Sequence, residues 1–558
     1  MKRRSFLKNA AGSTALLSGL VVKGCSTRKE YSLLVKGGIV YDGTGSPGME
    51  ADVAITNDRI VAIAPNINGE KAHTVIDARG MAVAPGFIDA HTHTDIQLIV
   101  NPNAESKIRQ GVTTEIGGNC GGSMFPLNDS MFEESSEYLE KEYGLDLTWR
   151  DIGGFFSRLE KGGIANNHAE LLGHGTLRTF VMGPYDRPPT DEELQRMKQV
   201  VREHMQAGVY GLSTGLEYIP GNFAETDEVI ELCRDVAELG GIYATHMRDE
   251  GDLVIESLEE TLRICREANV STQISHLKAA APRNWPKLDG IFSLIEGAKR
   301  DGLPVLADRY PYHAWSSGLS YYFPKWSREG TNEDFVNRLK DKSLRKKIEA
   351  FVNSEGERMG SWKNVIISSV YHDNNRHVEG KNILDAAAEA QKSTYEFMRD
   401  LLIEEEGHVS MVGFGMSEDN LARVLAHPQV MVGSDGNAVA TYGTLSKGKP
   451  HPRFYGTFPR VLGKFARDEG IISLANAVKK MTSMTAEKFG LAGRGRIAVN
   501  NFADIVVFEP DNVIDRATFA DPHQYAAGIP YVIVNGKVVV SEGEHTGVLA
   551  GRVLKYEV

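Results

Sequence analysis

The run "VAPGFIDAHTHTDIQLIV" (83–100) joins an apolar stretch suited to a buried strand to a histidine, one spacer and a second histidine, with Asp89 just ahead of them. Alternate side chains of a strand share a face, so His91 and His93 project the same way at its C-terminal end. Paired imidazoles at a strand end are metal-ligand chemistry, and the rest of the chain must supply the remaining donors.

Working outward, short apolar runs alternate with amphipathic helices. "GVTTEIGG", "AELLGHG", "GVYGLST", "GIYATHM", "STQISHL", "LPVLADRY" and "QVMVGSD" follow the opening run, making eight strand candidates. Thr190 with Glu193 forms a capping box ahead of "DEELQRMKQVVREHM", and Thr226 is a candidate N-cap for the next helix. The pattern predicts an α/β fold, a (β/α)8 TIM barrel over 83–489. A polar, helix-rich insertion or lid is expected at 315–406. The flanks, 30–82 and 490–558, are β-rich, with Asn535-Gly536 as a tight hairpin turn, and predict a small β-sandwich built from both chain ends.

The 558 residues are 41% hydrophobic and 24% charged, an ordinary globular composition, and the formal charge of −12 with no long basic stretch argues against nucleic acid as a partner. Four cysteines make no disulfide framework; Cys233 and Cys265 fall in helical patterns as small hydrophobes. The first 25 residues read as an export signal: Arg3 and Arg4 ahead of an apolar stretch resemble a twin-arginine motif, and Gly24-Cys25 resembles a lipoprotein cleavage site. The expectation is an exported, periplasmic protein whose only tie to a membrane is a lipid anchor at Cys25.

Barrels of this kind carry their chemistry at the C-terminal ends of their strands. There the chain places His91, His93, Cys120, His246, His276 and Asp435, all of metal-binding or acid/base type. Coincidence on one barrel face is a poor explanation, so these six form a candidate site. His168 and His174 read as supporting or structural groups, and His451, His523 and His545 carry no weight as ligands.

The chain resembles the amidohydrolase superfamily, and within it the N-acyl-D-amino-acid deacylases, or D-aminoacylases. The motifs "VAPGFIDAHTHTD", "GNCG", "GHGTLR", "STGLEY", "ATHMRDE", "SHLK", "YPY", "SDG" and "HPRFYGTFPRVLG" follow that family's order across Tyr31 to Glu544. The resemblance implies that Cys120, His246 and His276 hold a tight Zn2+, and that His91 and His93 contribute to a second, weaker or vacant site. It also implies Arg453 and Lys278 as the cations for a substrate carboxylate, with Tyr218, Tyr310 and Ser316 lining the site. Two departures stand out: the connection "GNAVATYGTLSKGKPHP" is long, and Glu217 is acidic where acylases for apolar substrates carry an apolar residue. Glu217 is therefore a candidate partner for a substrate ammonium.

Chemically, zinc with three protein ligands leaves room for water and lowers its pKa to about 7. Asp435 is the base that takes the water's proton and returns it to the departing nitrogen. The expected activity is hydrolysis of the amide of N-acyl-D-amino acids, a small-molecule substrate class. The competing expectations are a dipeptidase for substrates ending in a D-residue and a non-catalytic periplasmic binding lipoprotein; an intact Asp435 disfavours the latter.

Overall fold

The computed structural model describes residues 29–558. The export signal and Cys25 lie outside the described residues. Among those described, no helix is long and apolar enough to cross a membrane.

Eight parallel strands build the barrel: β1 (Phe87–Asp89), β2 (Val112–Gly117), β3 (Asn167–Glu170, continued at Leu172–Gly173), β4 (Gly211–Gly215), β5 (Ile242–His246), β6 (Ser271–Ile274), β7 (Val305–Arg309) and β8 (Val430–Val432). Consecutive strands pair in parallel, as in Gly215↔His246 and Thr245↔Ile274. The barrel closes where Thr92 bridges Gly436 and Asp435 N–H donates to the His91 carbonyl at 2.8 Å. Closure thus brings the first and last strand ends together, which is how residues 91 and 435 become neighbours.

Helices cover the barrel for the reason their patterns suggest. Asp191–Ala207 starts on the Thr190–Glu193 capping box and buries Met197, Val200, Val201 and Met205. The following helix, Thr226–Glu238, is capped one residue earlier than its sequence implies: Glu225 is the N-cap and the Thr226 hydroxyl donates to Glu260 instead.

The two chain ends build the expected small β domain, their strands linked by hydrogen bonds into one nine-stranded sheet. Tyr31–Val40 is the hinge of this sheet: its first half pairs with Ala72–Asp77 and its last residues with Ala82–Pro85. The sheet curls round one core of Leu33, Val35, Val53, Ile55, Ile505, Val507 and Ile533. Ile505–Phe508 is apolar on both faces because Val506 and Phe508 pack the other way, with Phe87 of the barrel. Since Ala82–Pro85 pairs with Ile505–Phe508, the sheet runs past residue 82 and the barrel starts only at Phe87.

The insertion also differs from expectation. It is not purely helical: Ala314–Gly318, Val409–Phe414 and Val365–Val370 form an antiparallel sheet in that order, so the segment ends at Phe414 instead of 406. Helices such as Arg345–Arg358 and Thr394–Glu404 pack on it around Leu319, Tyr322, Ile348, Val352, Met398 and Met411, a core separate from that of the barrel.

Candidate active site

The strand ends deliver the expected side chains to one place. Cys120 Sγ lies 3.3 Å from His91 Nε2, 3.9 Å from His246 Nδ1 and 3.7 Å from His276 Nε2. His93 Nε2 is 3.0 Å from Asp435 Oδ1, and His91 Nε2 is 3.6 Å from the same oxygen. Donor atoms within 4.8 Å of one another group as His91–Cys120–His276 and as His91–His93–Asp435. A third group joins His246 and His276 with Glu250, and Cys120 Sγ lies within 4 Å of a nitrogen of His91, His246 and His276.

Three of these residues are held in a backbone conformation that side chains other than glycine seldom adopt. Cys120, His276 and Asp435 have φ of 52°, 37° and 49°. Such strain persists where the surroundings overdetermine it, and it clusters at functional sites. The glycines around Cys120 are part of that constraint, since a Cβ on Gly121 would lie 2.7 Å from the Gly215 nitrogen.

Each imidazole is oriented from behind. His91 Nδ1 faces Asp308 Oδ2 at 3.4 Å, His246 Nε2 faces Glu217 Oε2 at 2.9 Å, and His276 Nδ1 faces Glu250 Oε1 at 2.8 Å. A carboxylate there fixes the ring and its tautomer, the arrangement that prepares an imidazole to donate a lone pair. Asp308 and Glu250 went unnoticed in the sequence, although Asp308 ends a strand candidate and Glu250 follows His246 by one helical turn.

The electrostatics are those of a cation site. Burial opposes ionisation of Cys120, but the charge of His91 and hydrogen bonds from His246, His276 and His91 outweigh it and hold the thiol well below its usual range. Asp435 is likewise held well below its range, with Arg453 and the His93 hydrogen bond overcoming burial. Against the same desolvation, the His93 pKa rises to about 9 through Asp435 and Cys120, and that of His246 to about 10 through Glu250, Cys120 and Glu217. A field that retains protons on imidazoles also attracts a divalent cation, which binds in place of those protons. Thiolate, imidazoles and carboxylate are a donor set that fits zinc.

The expected substrate contacts divide. Arg453 is buried, its Nη2 is 3.0 Å from Asp435 Oδ2, and its Nε and Nη1 have no partner. Its guanidinium carbon sits 4.5 Å from the centre of the Tyr310 ring. Arg453 opens onto a cavity of about 630 Å³ together with His93, Cys120, Tyr218, Ser316 and Asp435, and residues of the long connection, Thr444, Leu445 and Lys447, form part of its wall. A smaller space of about 30 Å³ adjoins it beside His246, Glu250, Lys278 and Tyr310.

Lys278 and Glu217 are already engaged. Lys278 Nζ donates to Glu250 Oε1 at 2.5 Å, so its ammonium is neutralised within the protein. Glu217 does turn toward the site, because β4 has ended and the chain turns at 216–218, but both its oxygens have partners: His246 Nε2 and, at 2.9 Å, the Tyr321 hydroxyl. The ammonium-binding role expected of Glu217 is thereby replaced by a contact with an imidazole.

Imidazoles, a thiolate and a carboxylate gathered at the C-terminal mouth of an eight-stranded barrel define a hydrolase of the barrel type. The model of the Amidohydrolase family matches residues 74–308 and 387–540. A D-aminoacylase from Alcaligenes xylosoxydans xylosoxydans is 39% identical over 531 residues, covering 95% of this chain and 98% of the relative. A solved D-aminoacylase, described with a binuclear metal centre showing one-metal activation and second-metal attenuation, is 36% identical with a TM-score of 0.79 over 94% of this chain and 100% of its own. An N-acyl-D-glutamate deacylase from Bordetella bronchiseptica, complexed with zinc and a phosphonate mimic of the tetrahedral intermediate, is 32% identical with a TM-score of 0.79 over 94% and 99%. The chain belongs to the amidohydrolase family and, within it, to the N-acyl-D-amino-acid deacylases; it is a hydrolase of linear amide bonds.

Proposed function

We propose that this enzyme removes the acyl group from N-acyl-D-amino acids, with Cys120, His246 and His276 holding one tight zinc ion and His91 and His93 contributing to a second, weaker site. The observation that carries this reading is Arg453. A buried guanidinium whose Nε and Nη1 have no partner, while Nη2 is tied to Asp435, keeps N–H donors free for a substrate carboxylate beside the acid/base residue.

With the substrate carboxylate on Arg453, its amide falls beside Asp435 and Cys120. Asp435 takes the proton of the attacking water and returns it to the leaving nitrogen, without which an amine is a poor leaving group. His93 hydrogen-bonds Asp435 Oδ1 and steadies it for both transfers. When bound, zinc supplies Lewis acidity toward the carbonyl oxygen and lowers the pKa of water. Arg453 fixes the carboxylate and the narrow space beside His246 receives the acyl chain, so the substituents at the α-carbon are sorted by handedness. Relatives named for D-amino acids, at 39% and 33% identity, support the D configuration.

The test is a panel of N-acetyl-D, N-acetyl-L and L,D-dipeptide substrates on purified zinc-loaded protein. Turnover confined to the acetyl-D series supports deacylation. A preference for dipeptides selects the dipeptidase reading, and turnover of none returns a binding protein. We propose further that the enzyme works outside the cytoplasm, on the strength of Arg3, Arg4 and Cys25.

A further inference from the structure

We propose that the insertion controls how firmly the metal is held, through a hydrogen-bonded chain from Tyr321 to Glu217 to His246. The proposal rests on the zinc reading above. His246 Nδ1 faces Cys120 Sγ, so ligation through Nδ1 requires the ring proton on Nε2, and the acceptor for that proton is Glu217 Oε2 at 2.9 Å. Glu217 is itself held by its other oxygen, which accepts from the Tyr321 hydroxyl at 2.9 Å.

Tyr321 does not belong to the barrel. It lies in the turn Leu319–Tyr322 at the start of the insertion, its ring 5.1 Å from that of Tyr322, which meets Trp362 at 5.1 Å in the insertion's own core. Arg358, at the end of the helix Arg345–Arg358, approaches the Tyr321 oxygen at 3.4 Å and is anchored on Glu355. The other two imidazoles differ: His276 is oriented by Glu250 and His91 by Asp308, and both carboxylates come from the barrel. Glu217 comes from the barrel too, but its second oxygen is held by a hydroxyl of the insertion.

Removing the Tyr321 hydroxyl leaves Glu217 Oε1 without its donor in a site largely closed to water. The carboxylate then re-aims, and the Nε2 proton of His246 is left to the longer contact with Glu250 Oε2 at 3.7 Å. Outer partners of metal ligands are worth about 10–100-fold in metal affinity. The fold is untouched, since Tyr321→Phe keeps the ring and its contacts.

The test follows zinc transfer from loaded protein to an excess of chromogenic chelator, which reads the metal without reference to activity. Tyr321→Phe and Glu217→Gln are each expected to release zinc about tenfold faster or more, and the double variant no faster than Glu217→Gln alone, because the hydroxyl acts only through the carboxylate. Tyr322→Phe is the control: its buried hydroxyl has no partner, so its loss should leave release unchanged. Wild-type release from Tyr321→Phe, or fully additive effects in the double variant, would overturn the proposal while leaving the zinc site standing. Wild-type protein that holds no zinc after dialysis would overturn both.

Discussion

Arg453 Nη2 lies 3.0 Å from Asp435 Oδ2, joining the residue proposed to read the substrate carboxylate to the residue proposed to move the proton. Recognition and acid/base chemistry are therefore mechanically one unit. A carboxylate that draws the guanidinium toward itself also sets the angle at which Asp435 meets the attacking water.

Arg453→Lys preserves charge but loses the planar fork that holds a carboxylate through two parallel hydrogen bonds. A charge-assisted hydrogen bond is worth about 1.5–3 kcal/mol, so KM should rise roughly 10–100-fold and D-over-L discrimination should narrow. Steady-state kinetics on matched acetyl-D and acetyl-L substrates check this. An unchanged D/L ratio would place carboxylate reading elsewhere.

Asp435→Asn keeps the volume of the side chain but cannot carry the proton. kcat should fall by about 10²–10⁴ while zinc content and circular dichroism match wild type. Wild-type turnover by this variant would sink the mechanism.

The site was legible to the extent that it sits at strand ends. His91, His93, Cys120, His246, His276 and Asp435 each terminate or closely follow an apolar run, and a parallel barrel brings all such ends to one face. Tyr321 and Arg358 were not legible, because they reach Glu217 through the packing of an insertion whose placement no local pattern records. The contact of Glu217 with His246 was not legible either, because it is made in the turn that follows β4, beyond Gly215. Likewise the insertion's last strand, Val409–Phe414, falls beyond the expected limit at 406, because its partner Ala314–Gly318 is remote in sequence.

Metal removal gives a stability readout. A ligand that binds only the folded state stabilises it by about 2.7 kcal/mol at a hundredfold excess over Kd. Chelation should therefore lower the Tm of wild-type protein. Cys120→Ser should carry substoichiometric zinc and show little further shift with chelator. Full zinc content in that variant would remove Cys120 from the ligand set.

Behind Asp435 lies a fully buried ion pair. Lys107 Nζ is 2.9 Å from Asp89 Oδ2 and donates to Ser434 Oγ at 2.6 Å, while Ser434 N–H donates to Asp89 Oδ1 at 2.8 Å. Lys107→Met leaves the Asp89 charge buried without its counterion, a loss of about 3–5 kcal/mol. Chemical denaturation measures it, and a change under about 1 kcal/mol would show that the pair contributes little to stability.

The last prediction concerns the side chain of the D-amino acid. It leaves the carbon that bears the carboxylate, so with that carboxylate on Arg453 it must enter the cavity of about 630 Å³ that Arg453 lines. One face of the insertion sheet brings Ser316, Ser369 and Ser410 to the wall of this cavity, and none of their hydroxyls has a side-chain or backbone partner among the described residues. On the wall Lys447 is paired with Glu142 at 2.6 Å and His93 with Asp435 at 3.0 Å, so an acidic side chain finds no free countercharge beyond Arg453. An apolar side chain pressed against such hydroxyls strips them of water without replacing its hydrogen bonds, at about 1–3 kcal/mol for each one left unsatisfied. N-acetyl-D-glutamine and N-acetyl-D-serine should then exceed N-acetyl-D-leucine in kcat/KM by about tenfold. Ser410→Val should lower the value for glutamine, raise it for leucine and leave zinc content alone. If leucine is the better substrate of the wild type and Ser410→Val changes neither value, the side chain does not reach the insertion sheet.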